Sequence, residues 1–292
     1  MKYITFTVPC YNSQDYMRHC IDNLVAAGED VEVIIVNDGS KDDTGKIADE
    51  YEKKYPTIVK AIQKENGGHG SGVMAGIRNA EGMFFKVVDS DDWMEAGTYK
   101  AILKLMDDDD IVEFPVARRL SLSDRSYDNI DDYWLTEQAY AHTFACNKIY
   151  RRSLFDDVRY PQGKVFEDVY TLPLLLRKAK RVSTTSQGCY HYEWNPSGIT
   201  ATADGEKLAM LLDAHLTSGM PIDDRYYMYL VNIQMDVCEQ TGRPIILPTR
   251  QVNTSSLDSK LKIKSILLNV LGISTLCRIN KFIHYFKKPN RW

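Results

Sequence analysis

The chain lacks most of what would mark a secreted, membrane-spanning or nucleic-acid-binding protein. Its six cysteines (Cys10, Cys20, Cys146, Cys189, Cys238, Cys277) are scattered, with no CxxC pair. That usage fits reduced thiols better than a disulfide framework or a zinc site. No uninterrupted run approaches the ~18 apolar residues that a spanning helix needs. Met1-Lys2-Tyr3-Ile4 leads straight into an expected strand, without a signal-peptide pattern, so a cytoplasmic location is expected. Internal repeats, low-complexity segments, a Walker loop and a dinucleotide fingerprint are all missing. The net charge of −4 argues against a general nucleic-acid binder.

What is present is an ordinary globular composition. With 292 residues, 44% hydrophobic and 26% charged, the chain can hold one large α/β domain or a domain with an appendage. The charge is unevenly placed. From Ser256 onward there are eight Lys or Arg and one acid, a local +7, which leaves −11 on residues 1–255.

The most informative stretch is Phe84-Phe85-Lys86-Val87-Val88-Asp89-Ser90-Asp91-Asp92-Trp93. Its apolar half reads as a buried strand, and it ends abruptly in carboxylates. A solvated acidic turn is the plain alternative. Carboxylates at the C-terminal end of a parallel strand, however, lie where open α/β sheets bind ligands. Asp89 and Asp91 fall on one side if the strand geometry persists. Two hard oxygen donors with room for phosphate and water suit Mg²⁺ or Mn²⁺.

The pattern around this stretch alternates strand and helix. Strands are expected over Ile4–Val8, Val31–Val36, Ile58–Gln63 and Ile111–Phe114, and helices from Ser13 or Asp15 to Ala26, from Asp42–Thr44 to about Tyr55, over Val73–Ala80 and over Ala96–Met106. The glycine-rich run Asn66-Gly67-Gly68-His69-Gly70-Ser71-Gly72 precedes the third helix. It can present backbone N–H groups to an anion, or it can be a flexible connection. Residues 120–140 read as loop with a short helix, Ala145–Arg152 as a strand running into a basic turn, and Glu167-Asp168 as the opening of a helix through Leu176. A carboxylate pair there is commonly a capping device. Closing strands over Val182–Thr185 and Cys189–Tyr192 lead to an Asn195–Gly198 turn, helices over Glu206–Leu216 and Arg225–Glu239, and a polar linker over Thr249–Ser256. The fold class expected is α/β, an open and mostly parallel sheet flanked by helices with a helical appendage. The expected divisions are residues 1–200, 201–255 and 256–292.

Taken in order, Val8-Pro9-Cys10-Tyr11-Asn12, Val36-Asn37-Asp38-Gly39-Ser40, Asn66-Gly67-Gly68, Arg78-Asn79-Ala80-Glu81-Gly82, Asp89-Ser90-Asp91-Asp92-Trp93, Asn147-Lys148-Ile149-Tyr150-Arg151, Glu167-Asp168 and Ser197-Gly198-Ile199-Thr200 resemble the family 2 glycosyltransferases of the Rossmann-like GT-A fold. The resemblance covers about residues 1–200. It implies an inverting enzyme that uses a nucleotide-activated, usually UDP-linked, sugar. Position by position, it implies that Pro9 and Tyr11 flank the nucleobase, that Asn12 contacts the nucleotide and that Asp38 accepts a hydrogen bond from the base. Asn66, Gly67, Arg78 and Ser90 would lie near the nucleotide. Asp89 would face the ribose or uracil and share in the metal site. Asp91 would bind the metal, and Asp92 and Trp93 would support the site or touch the donor sugar. Asp168 would be the general base and Glu167 its neighbour.

Two features depart from the resemblance. Glu193-Trp194 stand where many relatives carry a phosphate-binding arginine, and Gly198 is inserted after Ser197. His191 then offers a phosphate contact or strand packing, and Trp194 a sugar-stacking surface or core. A sugar-nucleotide pyrophosphorylase would need a Gly-rich, Arg-containing motif after the first strand, which Pro9-Cys10-Tyr11-Asn12 is not. A non-catalytic nucleotide-sugar-binding scaffold is the other alternative. The basic tail, 256–292, has an apolar centre of about a dozen residues, short for a ~30 Å crossing. It reads as an amphipathic helix on an anionic membrane surface, which would point to a lipid-linked or glycan acceptor, or as a helix packed on the protein.

Overall fold

The computed structural model describes residues 2–94, 98–195, 201–255 and 257–287, the last five by backbone alone. The expected Ser197–Thr200 segment, the start of the Ala96 helix and the closing residues of the tail lie outside the described residues. Ten strands are described: β1 (Ile4–Cys10), β2 (Val31–Asp38), β3 (Val59–Lys64), β4 (Phe84–Val87), β5 (Trp93–Met94), β6 (Ile111–Glu113), β7 (Arg125–Tyr127), β8 (Lys148–Arg151), β9 (Val182–Thr184) and β10 (Tyr190–His191). The helices are α1 (Met17–Val25), α2 (Thr44–Lys54), α3 (His69–Asn79), α4 (Thr98–Leu103), α5 (Ile130–Thr136), α6 (Glu167–Leu176), α7 (Gly205–Thr217), α8 (Asp224–Thr241) and α9 (Ser259–Lys287).

Eight strands form one sheet in the order β3-β2-β1-β4-β8-β6-β9-β7, and β10 and β5 form a separate antiparallel pair. The four strands β3-β2-β1-β4 are mutually parallel. β8 runs against both β4 and β6, while β6 and β9 are parallel. This is the mostly parallel, helix-flanked sheet expected from the strand–helix alternation. Every residue of β1 and β2 is buried, which explains why these strands read as continuous apolar runs instead of alternating ones.

The chain divides into two compact units, Met1–Tyr133 with Thr143–Asn195, and Trp134–His142 with Pro196–Trp292. In the first, the side chains of α1, such as Met17, Ile21 and Leu24, join those of β1, β2 and β4 in one apolar core. In the second, α8 packs against both α7 and α9, and an aromatic cluster forms in which Tyr140 stacks on Tyr226 at 4.1 Å and Trp134 meets Tyr226 edge-on at 5.9 Å.

Several elements differ from the sequence reading, each for a local reason. Helix α3 starts at His69, four residues before the expected Val73, so the glycine run is mostly helix and not a flexible connection. A Cβ at Gly76 would lie 2.2 Å from Thr7 Oγ1, and one at Gly72 would lie 3.0 Å from Pro9 Cβ. The glycines let α3 seat directly on β1. Residues 120–140 hold β7 and α5, and Tyr133 and Trp134 are fully buried. The basic-turn strand begins as a short 3₁₀ turn, Ala145–Asn147, before β8. The expected polar linker is tethered: Val252 is buried, its N–H donates to Asn269 Oδ1 at 2.9 Å, and its carbonyl accepts from Asn269 Nδ2 at 2.8 Å.

Helix α9 extends on both sides of the apolar centre of about a dozen residues. Its Ser259–Phe282 span is the one described helix long and apolar enough, by length and composition, to cross a membrane. Gly272, at φ 73° and ψ 162°, breaks it. The segment before the break is roughly 20 Å long at 1.5 Å per residue, short of a ~30 Å core. Leu268, Ile273, Leu276 and Cys277 are buried, whereas Ile263, Val270 and Phe282 are 65%, 76% and 66% exposed. The helix therefore packs with one face and presents a second apolar face.

Candidate active site

The parallel register sets Cys10 opposite Asn37 and Thr7 opposite Val87. The loops that follow β1, β2 and β4 therefore emerge along one edge of the sheet. Polar side chains lace them together. Asn12, held at φ 51°, donates its N–H to Ser40 Oγ at 2.9 Å and accepts from the Lys41 N–H at 3.0 Å. Ser13 Oγ and Ser90 Oγ are 2.9 Å apart. Ser13 thus joins the first loop to the acidic turn instead of capping α1, whose N-cap, Tyr16, makes no side-chain cap bond. Pro9 is buried at the end of β1, and Tyr11 beside it is 49% exposed.

Asp38, buried at the end of β2, accepts from the N–H groups of Gly67 (3.0 Å) and Gly68 (2.8 Å) and from the Lys64 ammonium. Gly68 holds a φ of +83°, a conformation that favours glycine and that turns the two successive amides toward one carboxylate. The carboxylate thereby fixes the glycine turn. Asn66 is exposed on the same turn.

The turn delivers His69, the first residue of α3, between two carboxylates. Its Nε2 is 2.9 Å from Asp89 Oδ1 and its Nδ1 is 2.5 Å from Glu167 Oε1. Burial opposes charge on this imidazole, but its hydrogen bonds to Asp89 and Glu167 and their negative charge hold its pKa well above the ordinary value. The neighbouring carboxylates of α6 are driven apart. Burial works against ionisation of Glu167, yet His69 outweighs it and holds Glu167 below the usual carboxylate range. Burial, then the charge of Glu167, push Asp168 up to about 7, against the pull of Lys148 and His69. Phe166, at φ 56°, turns the chain into this helix start. Lys148 is fixed from beneath by a fully buried network. Its Nζ is 2.8 Å from Glu113 Oε1, which also accepts from Asn147 Nδ2 at 3.0 Å, while Glu113 Oε2 accepts from Tyr133 OH at 2.7 Å.

The acidic turn has two characters. Asp91 is partly exposed and accepts from Asn195 Nδ2 at 3.0 Å; burial and the charge of Asp89 raise its pKa against that bond. Asp92 is 1% exposed and accepts from Tyr190 OH at 2.7 Å and the Glu193 N–H at 2.8 Å. Burial and then Asp89 raise its pKa. Asp92 thus braces the turn from within. Behind the turn, burial lowers Lys86 to about 7; its ammonium lies 4.6 Å and 4.8 Å from the Phe114 and Tyr190 ring centroids.

The donor chemistry of this turn fits a divalent cation. Asp89 and Asp91 are close enough to raise the energy of a second charge, and Asp91 receives only a neutral amide in the bonds described. No group of three or more His, Cys, Asp or Glu able to hold a metal stands among the described residues. Phosphate oxygens and water would therefore complete the shell, as is usual for Mg²⁺.

The remaining site candidates divide clearly. Trp93 stacks on His191 with centroids 3.7 Å apart and planes 6° from parallel, so His191 packs within the β5–β10 pair. Trp194 is 61% exposed and is not core. Arg78 is exposed in the last turn of α3, roughly 13 Å of helix rise from His69, and the structure does not bring it to the carboxylate cluster. The sequence reading assigned no site role to His69, Tyr190 or Asn195, and gave Ser13 only the start of a helix. The available signal for His69 was a lone titratable side chain inside a glycine turn that faces an acidic strand end.

Comparison with known proteins extends this picture. The sequence model of the family described as "Glycosyl transferase family 2" matches residues 5–179. Glycosyltransferase GlyA of Streptococcus pneumoniae is 24% identical over 99% of this chain and 49% of its own length. The minor teichoic acid biosynthesis protein GgaB of Bacillus subtilis is 25% identical over 66% of this chain and 23% of its own. The chain thus spans about half the length of these relatives or less. Among solved structures, S. aureus TarS 1-349 in complex with UDP-GlcNAc aligns over 100% of this chain and 93% of that one, with a TM-score of 0.66 and 19% identity; the likeness extends the shared fold over the whole chain.

Proposed function

Because the chain belongs to glycosyl transferase family 2, we propose that it transfers a sugar from a nucleotide donor to a hydroxyl of a glycan or lipid-linked acceptor, with inversion and with Asp168 as general base. The observation that carries this reading is the placement of two adjacent carboxylates at the start of α6: Glu167 is held by His69 at 2.5 Å, and through that ring it is joined to Asp89 of the acidic turn, while Asp168 beside it is partly exposed. Burial and the charge of Glu167 raise the pKa of Asp168 to about 7, in the direction that suits a base working at neutral pH.

In this mechanism the acceptor oxygen attacks the anomeric carbon from the face opposite the leaving group. Its proton passes to a carboxylate oxygen of Asp168, and the bond from the anomeric carbon to the phosphate oxygen breaks with its electron pair leaving on the nucleotide. Tyr11 and Asn12 border the nucleobase, with Pro9 beneath them. Asp38 acts through the Gly67-Gly68 turn it fixes. Asp91 and the second oxygen of Asp89 would hold Mn²⁺ or Mg²⁺, which supplies positive charge for the diphosphate when bound. Asp92 keeps Tyr190 and Glu193 in register behind that turn. Trp93 and exposed Trp194 border the sugar side.

A UDP-linked donor is supported by the UDP-GlcNAc bound in the structurally similar TarS. A peripheral site on the cytoplasmic membrane face is supported by α9, which carries exposed Ile263, Val270 and Phe282 together with exposed Lys260, Lys262, Arg278 and Lys281. Each such cation near an anionic surface contributes roughly 1 kcal/mol. The test of the functional reading is a panel of UDP-sugars with Mn²⁺, scored for thermal stabilisation and for UDP release. Stabilisation by one or two donors with release of UDP is expected. Donor binding without any release, with each acceptor class supplied, would leave the scaffold alternative.

A further inference from the structure

We propose that His69 is a positioning residue that ties the donor-side turn at Asp89 to the acceptor-side helix at Glu167, and so sets where the adjacent Asp168 meets its substrate. This deepens, and rests on, the assignment of Asp168 as the base. The bridge is geometric. Both ring nitrogens of His69 are engaged, one by Asp89 Oδ1 at 2.9 Å and one by Glu167 Oε1 at 2.5 Å. The two carboxylates belong to segments 78 residues apart in the chain, the end of a central strand and the start of α6. No other side chain among the bonds described links these two carboxylates.

Each anchor of the bridge is itself fixed. Upstream, Asp38 holds the amides of Gly67 and Gly68, which determines where α3 begins. Downstream, Gly70 packs against the segment leading into α6. A Cβ there would meet Tyr160 Cβ at 3.3 Å and Glu167 Cγ at 3.5 Å. His69 is thus placed by backbone on both sides and has little rotational choice. Its side chain is still about one-third exposed (33%), so it borders the site instead of lying under it.

The consequence for chemistry is directional. With Glu167 drawn toward His69, the next side chain, Asp168, projects elsewhere from the helix start, since consecutive helical residues are ~100° apart. Releasing Glu167 allows α6 to open at its first turn, where backbone bonds are fewest. A displacement of about 1 Å between base and acceptor can cost on the order of 100-fold in rate. His69 would therefore act on turnover through Glu167, and not on donor affinity.

The test is a double-mutant cycle in the full chain, with His69→Ala, Glu167→Ala and the double variant. UDP release gives kcat and donor KM. Each single variant is expected to lower kcat about 10–100-fold with donor KM within about threefold. The double variant should lie within about threefold of the worse single one. Multiplicative losses, or a donor KM effect with kcat unchanged, would overturn the inference. His69→Gln, which keeps a donor toward one carboxylate, is expected to recover part of kcat; it also replaces His69→Ala in the cycle if the alanine variant does not fold. The bridge has a readout independent of turnover, the imidazole N–H protons of ¹⁵N-histidine-labelled protein. A hydrogen-bonded His69 signal lost in Glu167→Ala supports the bridge even where no acceptor is turned over, and an unaltered signal refutes it. Absence of wild-type transfer would instead remove the glycosyltransferase reading, so the two failures are distinct.

Discussion

Replacing Asp168 with asparagine separates a base from a helix cap through two opposite effects. In the wild type, burial and the charge of Glu167 raise Asp168 from 3.8 to about 7. Between those values the folded chain binds more protons at this position than the unfolded chain does. Stability contributed here is therefore greatest below the unfolded pKa and falls as pH rises through about 7. A shift of roughly three pKa units at 1.36 kcal/mol each sets a ceiling of about 4 kcal/mol on the cost of ionisation at pH 8, reduced by relaxation of the side chain toward solvent. Asparagine does not ionise, so Asp168→Asn is expected to raise the thermal midpoint at pH 8, with the gain shrinking toward pH 4. Catalysis runs the other way. Wild-type kcat/KM should approach a tenfold fall per pH unit below 7, roughly 50-fold between pH 7 and pH 5 for a base at about 7, and Asp168→Asn should abolish this limb. Thermal scans across pH and initial-rate measurements of UDP release read both. A variant that is less stable at pH 8 and retains the acidic limb would return Asp168 to a capping role.

Chelation with EDTA should abolish both donor stabilisation and turnover, because Asp89 and Asp91 would otherwise face a diphosphate with like charge. Equal UDP affinity with and without EDTA would sink the metal assignment. Gly76→Ala should destabilise the fold by about 1–3 kcal/mol, as overpacking does, because its Cβ would lie 2.2 Å from Thr7; denaturant titration reads this. Ile263→Glu with Val270→Glu should leave stability nearly unchanged, since both are exposed, and should remove cosedimentation with anionic liposomes at low salt. A full-length protein that ignores such liposomes would make α9 a packing helix alone.

The sheet was legible because β1, β2 and β4 are buried on both faces, so their apolar runs are long and end at sharp polar breaks. Asp89, Asp91 and Asp168 were legible for a related reason: each is a carboxylate at the end of a strand or the start of a helix. What escaped sequence reading is long-range. Asp92 and Asp91 are neighbours in sequence, yet Tyr190 and Glu193, about a hundred positions later, bury one and leave the other partly open. Ser13 reads as a helix cap until Ser90 is seen opposite it. The early start of α3 was missed because glycine normally disfavours helix interiors. Here its missing Cβ is what allows contact with Thr7 and Pro9.

The most direct test of the central claim is single-turnover transfer by wild type and Asp168→Asn, with the donor identified by the panel and Mn²⁺ present, alongside donor Kd from a binding titration. A base that acts in the transition state contributes to the rate and not to donor binding. The account predicts a loss of about 10²–10⁴ in the transfer rate with donor Kd within about twofold of wild type. Transfer by Asp168→Asn within tenfold of wild type would contradict it.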